Sequence, residues 1–469
     1  MRRAVAALAL VCSLRCAAAT PDAPGTPDAA GAPGAPYAAN AANAPDPQIA
    51  AALQQISEER IRADITALVG FGNRSTLSAQ DPVSIAAGRG IGAAREWIRA
   101  QFEQYSKDCG GCLEVNTDAF TQPPADRVAQ PTRITNLYAV LRGTDPSAAT
   151  RIVLVSGHYD SRNSDNFDVT HDAPGANDDA SGVAVSLECA RVLSGLRFPA
   201  TIVFLAVAGE EQGLYGSDHF ARYAHAQHWN IEAMLNDDIV GGNRSPEQEP
   251  ATVRVFSEGL PGAANPAQLQ RLRRLGREND SDSRELARSI LDVAAGYATG
   301  VKPLLVFRQD RYLRGGDHVS FNQQGYAAVR FTEYREDFHR EHQDVRNEAG
   351  IEYGDLPKFI DVGYIARVAR LNAATLATLA AAPAPPTQVA ILTSQLENDS
   401  TLEWEASPGA SGYEVLWRAT TSPYWEQAKA VGNTTRITLD VAKDNVIFAV
   451  RALDAQGHRS VPVVPDPKR

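Results

Sequence analysis

Residues 201–211 read Thr201-Ile-Val-Phe-Leu-Ala-Val207-Ala208-Gly209-Glu210-Glu211. An apolar, β-branched run of strand length stops at a glycine and then presents two carboxylates. Upstream, Ile152-Val-Leu-Val155 is a second such run, ending in Ser-Gly157-His158-Tyr159-Asp160. Between the two, Ser181 to Leu193 has helical character, so strand, helix and strand alternate. Further outward lie strand-type runs at Ile134 to Leu141, Ile231 to Asp238 and Ala327 to Phe331. Helical stretches run from Gln48 to Val69, Gly92 to Tyr105 and Ile360 to Leu379. This alternation predicts an α/β fold with a mostly parallel central sheet flanked by helices. Sites in such sheets form beyond the strand ends.

The 469 residues are 44% hydrophobic and 22% charged, a composition that suits two globular domains plus tails. A formal charge of −11 with no block of Lys or Arg excludes a nucleic-acid surface. At the N-terminus, Arg2 and Arg3, an apolar run from Ala4 to Val11 and the small residues Ala17, Ala18 and Ala19 predict a signal peptide over 1–19. That run is far shorter than the roughly 20 residues of a membrane span. Cys12 and Cys16 do not follow small residues, which counts against a lipid anchor. The expected product is exported, to the periplasm or outside the cell.

Residues 20–47, rich in Ala, Pro, Gly and Asp, have too little apolar surface to offset the entropy of folding and predict a disordered leader. In an oxidising compartment the Cys109-Gly-Gly-Cys112 pair predicts a short-loop disulfide. A half zinc site or a redox motif would need a second Cys-x-x-Cys or a thioredoxin-like context, and neither is present. Cys189, in an apolar helix, reads as a buried thiol.

The stretch Ala380-Ala-Ala-Pro-Ala-Pro-Pro386 reads as a stiff, poorly packed linker. It separates a domain over 48–379 from a smaller one over 387–469, so truncation near Pro383 is expected to leave the first folded. Beyond it, runs at Val389 to Leu392, Ser400 to Trp404, Gly412 to Arg418, Arg436 to Leu439 and Val446 to Ala452 predict a β-sandwich. Trp404, Tyr413, Trp417 and Val450-Arg451-Ala452 resemble a fibronectin type III domain, with both tryptophans read as core.

Five clusters of histidines or carboxylates follow predicted strands or precede a predicted helix. In Gly157-His158-Tyr159-Asp160, alternate residues of an extended chain share a face, so Asp160 can hold the His158 ring from behind, as metal-bound histidines commonly are. Alone, such a pair is as readily structural. Pro174-Gly-Ala-Asn-Asp178-Asp179-Ala-Ser-Gly182 places carboxylates before a helix, which suits an N-cap or a bridge between two cations. Of Glu210 and Glu211, one can bind metal while the other takes a proton from water. The fourth cluster is Asn236-Asp237-Asp238-Ile239-Val240-Gly241, and the fifth Phe338-His339-Arg340-Glu341-His342-Gln343-Asp344.

In this order the clusters resemble those of the co-catalytic zinc exopeptidases of metallopeptidase family 28, which includes secreted bacterial leucyl-type aminopeptidases. The resemblance spans roughly residues 50 to 380. It implies two zinc ions per chain: His158 on one, Asp178 bridging both, Glu211 and Asp238 on one each, and a histidine of the fifth cluster last. Glu210 would be the general base and acid, with Asp160 behind His158. Relatives place the last histidine four residues before an Asp, where this chain has Arg340. His342 keeps the His-Gln-Asp-Val form of a subgroup and is preferred to His339. Mixed imidazole and carboxylate ligands suit catalytic zinc, and no cysteine takes part.

The implied activity is hydrolysis of a peptide or protein substrate, most directly by an aminopeptidase. Carboxypeptidases and glutaminyl cyclases resemble the same family, the cyclases as single-zinc variants, and a receptor that has lost its ligands is a third alternative. No G-x-S-x-G elbow points to a serine hydrolase.

Overall fold

A computed structural model describes residues 45–394 and 396–469. The predicted signal peptide, and the predicted leader up to residue 44, lie outside the described residues. The leader reading runs slightly too far. Helix α1 (Pro47–Leu53) is capped by the Asp46 carboxylate, which accepts from the amides of Gln48 and Ile49. The single helical stretch expected from Gln48 to Val69 is two helices. A new start at α2 (Glu58–Gly70) is capped by Ser57.

The remaining helices are α3 (Pro82–Ala86), α4 (Gly90–Asp108), α5 (Ala180–Leu193), α6 (Tyr215–Ala226), α7 (Pro266–Arg274), α8 (Asp282–Tyr297), α9 (His318–Gln323) and α10 (Val362–Ala381). The principal sheet contains β1 (Leu113–Gln122), β2 (Thr132–Leu141), β3 (Arg151–His158), β4 (Thr201–Val207), β5 (Asn230–Asp237), β6 (Thr252–Ser257), β7 (Lys302–Val306) and β8 (Ala328–Glu333), in the order β1-β2-β4-β3-β5-β8-β6-β7. Its centre, β4-β3-β5-β8, is parallel. The flanks are mixed: β1 with β2, β2 with β4 and β6 with β8 pair antiparallel. The outermost strands escaped the sequence reading because they are only half covered. In β1, Leu-Glu-Val-Asn-Thr-Asp-Ala-Phe-Thr-Gln, only Leu113 and Asp118 are buried and polar residues run throughout.

Alternate residues of the central strands feed two cores on opposite faces. Val153, Val155, Ile202 and Phe204 pack with α2, α4, α5 and α10. Leu154, Val203 and Leu205 pack with Phe220 of α6 and Phe321 of α9. The chain is therefore layered helix, sheet, helix, with the parallel strand ends open along one edge.

Cys109 and Cys112 are joined by a disulfide at the end of α4. Gly110 and Gly111 between them both hold positive φ (77° and 85°), which other residues adopt at a cost. Cys189 is a free, buried thiol.

After a short hairpin of β9 (Arg346–Glu348) and β10 (Ile351–Tyr353), the C-terminal strands are β11 (Thr387–Leu392), β12 (Ser400–Glu405), β13 (Gly412–Ala419), β14 (Gln427–Gly432), β15 (Arg436–Leu439), β16 (Val446–Leu453) and β17 (Asp466–Lys468). They form two small sheets, β15-β12-β11-β17 and β14-β13-β16, around Leu402, Trp404, Tyr413, Val415 and Val450. Trp404 lies in that core and Trp417 packs half-buried against it.

The 380–386 stretch is better packed than its composition predicts. Helix α10 continues to Ala381, Ala382 is buried, and Arg151 donates to the Ala382 carbonyl at 2.7 Å. The sandwich also grips α8 and its approach. Arg418 pairs with Asp280, the Trp425 indole donates to Glu285 at 3.0 Å, and Arg288 donates to the Pro423 carbonyl at 2.8 Å. Arg451 reaches Asp292, also at 2.8 Å. Among the described residues, no helix is long and apolar enough to cross a membrane.

Candidate metal centre

The open edge of the sheet gathers the five clusters. His158 closes β3, and Asp178 and Asp179 enter α5. Glu210 and Glu211 lie in the turn between β4 and α6, and Asp238 follows β5. Within each acidic pair the backbone divides the labour. Asp179 caps α5, accepting from Gly182 N at 2.9 Å, and also accepts from His158 N at 3.0 Å, which leaves Asp178 to the site. Asp237 turns into the core and accepts from Asn372 of α10 at 2.9 Å, while Asp238 turns outward.

The turn carrying Glu210 and Glu211 is fastened by Asn136 of β2. Its oxygen accepts from Ala208 N at 3.1 Å, and its nitrogen donates to Gly216 O at 2.9 Å and to Asp118 at 3.0 Å. Position 216 admits only glycine, since a Cβ there would lie 1.9 Å from the Ala208 carbonyl oxygen.

Asp178 sits between two imidazoles. Its Oδ1 is 3.0 Å from Nε2 of His158, and its Oδ2 is 2.9 Å from Nε2 of His342. Asp238 Oδ1 lies 3.9 Å from the same nitrogen of His158, and Glu211 Oε2 lies 3.1 Å from that of His342. His339 stands apart: its side chain is 57% exposed and its ring packs edge-on against Tyr353. Asp160 lies behind His158, with its carboxylate 3.5 Å from Nδ1 and its own carbonyl closer, at 3.1 Å. The same carboxylate accepts from Thr76 and from Glu211 N, so it ties the first cluster to the third. Glu210 is half-buried beside these groups. Burial, reinforced by Asp238, Glu211 and Asp317 and opposed by His158, pushes its carboxyl well above the usual range.

Two ligand groups emerge, His158 with Asp178 and Asp238, and Asp178 with Glu341 and His342. Glu341 was not singled out from the sequence, although it directly precedes His342. It is pushed up to about 8 by burial and by Asp178 and Glu336. Two arginines were missed as well. Arg162 donates to Glu211 at 3.0 Å and meets Nδ1 of His342 at 2.7 Å. The fully buried Arg330 lies 2.8 Å from Asp238 and, against the cost of burial, holds that carboxyl below its ordinary value. Asp355 accepts from the amides of Asn177 and Asp178 and so fixes the bridging residue from beneath. Arg330 and Asp355 come from distant segments, and Arg162, although it follows the first cluster by two residues, acts on Glu211 of the third.

The residues fit zinc. Oε1 of Glu211 is buried without a hydrogen-bond partner, an unusual state for a polar atom outside a ligand site, and Nε2 of His158 faces the carboxylates of Asp178 and Asp238. Burial disfavours charge on both imidazoles, yet the surrounding carboxylates push His158 and His342 well above the usual range. A site that attracts protons this strongly also attracts cations, with which the protons compete. Imidazole and carboxylate together form the donor set that catalytic zinc takes.

Residues 136–358 match peptidase family M28. A probable zinc metalloprotease of Leptosphaeria maculans is 44% identical over 429 residues, covering 90% of this chain and 98% of that protein. Another, from Pyricularia oryzae, is 47% identical and covers 91% of this chain and 86% of its own length. At such coverage the match reaches into the C-terminal strands. Among solved structures, LapA of Legionella pneumophila shares the fold, with a TM-score of 0.50 and 22% identity over 71% of this chain and 76% of that one. With ordered clusters, a shared carboxylate and relatives matched almost end to end, the chain belongs to peptidase family M28.

Proposed function

We propose that this protein is an aminopeptidase that removes N-terminal residues from peptides. As a family member with two metal-ligating clusters sharing Asp178, it is a zinc-dependent exopeptidase; the choice of the N-terminal end is the further step. The observation that carries the reading is the placing of the two Asp178 oxygens against different histidines, as a carboxylate bridging two ions requires. His158 and Asp238 would hold one zinc, and His342 and Glu211 the other, with Glu341 beside the second. Zinc in such a site supplies Lewis acidity toward the scissile carbonyl and toward water.

Glu210, whose carboxyl lies in the field of His158 and Asp238, takes a proton from the attacking water and returns it to the leaving amine. Asp160 orients His158, and Arg162 orients Glu211. Retention of both Glu210 and Glu211 together with both histidines favours hydrolysis over the single-zinc cyclase chemistry. The sandwich is read as a fibronectin type III-like module. The chain is read as exported, which the N-terminal sequence and the Cys109–Cys112 disulfide support.

Metal analysis of the purified protein, combined with hydrolysis of free and N-acetylated peptides, tests the proposal. Two zinc ions and cleavage of free peptides alone are expected. Cleavage of acetylated peptides from the C-terminus would make it a carboxypeptidase, and release of pyroglutamyl product a cyclase.

A further inference from the structure

In the connection between α2 and α3, the segment Gly72 to Thr76 runs between the first and second clusters and bonds to three consecutive residues beside each. Toward the first, Nε of Arg74 donates to the Tyr159 carbonyl at 2.9 Å, the Arg74 carbonyl accepts from Ser161 N at 3.3 Å, and Thr76 donates to the Asp160 carboxylate at 2.9 Å. Toward the second, the Gly72 carbonyl accepts from Ala173 N at 3.1 Å, and the Arg74 guanidinium donates to the carbonyls of Pro174 at 2.6 Å and Gly175 at 2.9 Å. Residues 162–172 loop out between these anchors, and Asn73 fastens that loop at the carbonyls of Asp168 and His171.

Arg74 is fully buried, and all four of its acceptors are backbone carbonyls, the fourth being that of Leu68 at 3.0 Å. A guanidinium buried without a carboxylate among its acceptors is costly to keep. Burial pushes it down to about 10, against the pull of Asp355, Asp160, Asp179 and Asp178. Serving carbonyls on three separate segments takes a rigid fork with five donors, which lysine lacks. At Gly175 the chain passes so close that a Cβ would lie 2.8 Å from Nη2 of Arg74. Tyr159 to Ser161 directly follow His158, whereas the amide of Asp178 is held separately by Asp355. Among the ligands, His158 is therefore the one whose place depends most on this segment.

We infer that Arg74 is a positioning residue of the metal centre: by fixing the span from His158 to Asp178 it sets the affinity of the ion that these two hold, and it leaves the ion at His342 and Glu211 nearly unaffected. The inference rests on the two-zinc reading.

The test is Arg74→Lys in the full chain, with the two zinc dissociation constants measured by chelator competition and thermal melting followed alongside. One constant is expected to rise about tenfold or more while the other stays within about threefold, since groups that orient a metal-bound histidine act on affinity at the tenfold to hundredfold scale. Thr76→Val, which removes only the bond to Asp160, is expected to raise the same constant by about threefold, near the worth of one hydrogen bond, and to leave the other unchanged. It carries the comparison alone if Arg74→Lys does not fold. Equal weakening of both ions in a folded variant marks a general loosening and overturns the inference, as does weakening of neither. Wild-type protein that binds fewer than two zinc ions overturns the two-zinc reading and this role with it.

Discussion

Arg418→Met removes the charge that ties the sandwich to the approach of α8 while keeping much of the aliphatic packing. Arg418 and Asp280 are both buried, at 2% and 4% exposure, and the Arg418 guanidinium also donates to the Ser422 carbonyl at 2.6 Å. Removing one partner of a buried pair costs roughly 3–5 kcal/mol, because the other charge stays buried. Here Arg288 remains 3.9 Å from Asp280 and retains part of the compensation, so a loss of about 2–4 kcal/mol is expected. Urea unfolding at neutral pH, followed by tryptophan fluorescence, measures it, since Trp425 faces Arg418 at 5.4 Å. The double variant Arg418→Met/Asp280→Leu should recover a large share of the loss, because no stranded carboxylate then remains. A single-variant loss under about 1 kcal/mol, or no recovery in the double variant, would refute the reasoning. The same geometry revises the expectation for truncation near Pro383. Removing the sandwich takes the Arg418, Trp425 and Arg451 contacts from Asp280, Glu285 and Asp292 and uncovers the face of α8 they cover, so the shortened chain should be markedly less stable than the Pro/Ala composition of 380–386 suggests.

Glu210→Gln should keep the fold and both zinc ions while lowering turnover a hundredfold or more, roughly the scale of general-base catalysis; intact turnover would remove Glu210 from the chemistry. His342→Ala should reduce zinc bound at saturation from two ions toward one, and the exposed His339→Ala should leave it at two, as read by metal analysis after dialysis. Equal effects would sink the distinction. For His458, burial works against charge, but Asp454 at 2.6 Å and Asp46 at 3.3 Å outweigh it and raise the folded-state pKa. Its contribution is therefore complete below the unfolded value of about 6.5 and fades as pH rises through the folded value. Unfolding midpoints measured across that window should fall more steeply with pH in wild type than in His458→Gln, and parallel curves would contradict this.

The parallel centre of the sheet was legible because β3 and β4, buried on both faces, carry unbroken apolar runs at Ile152 to Val155 and Ile202 to Val207, whereas β5 and β8 carry shorter ones interrupted by Glu232 and Arg330. Edge strands such as β1 face water on one side, and their polar residues hide them. At the site, His158, Asp178, Glu211 and Asp238 could be found because each ends a strand or starts a helix, where local pattern and location coincide. The preference for His342 over His339 rested on one short motif, and in the structure His342 faces Asp178 while His339 faces Tyr353. Arg162, Arg330 and Asp355 could not be anticipated. Arg162 follows the first cluster by two residues but reaches across to Glu211, and Arg330 and Asp355 come from segments whose own neighbours carry no clue to what lies across the fold. The linker misled because Pro and Ala describe a stiff chain but say nothing of what packs against it.

The fastening at Asn136 makes the segment between Ala208 and Gly216 a cassette closed by one foreign clasp. The clasp must offer an acceptor to Ala208 N and a donor to Gly216 O at once, and a primary amide of this length does both. An aspartate in its place would set three acceptors against one another, with Asp118 and the Gly216 carbonyl as the other two, and a leucine would leave both backbone groups buried and unpaired. Because the ends are fixed by a side chain of β2, the interior can change with little displacement of Glu210 and Glu211, within the burial of Gln212 and the positive φ that Gly213 and Leu214 hold. Loop grafting at this turn should therefore alter what lines the approach to the zinc pair while leaving the base and its neighbouring ligand in register.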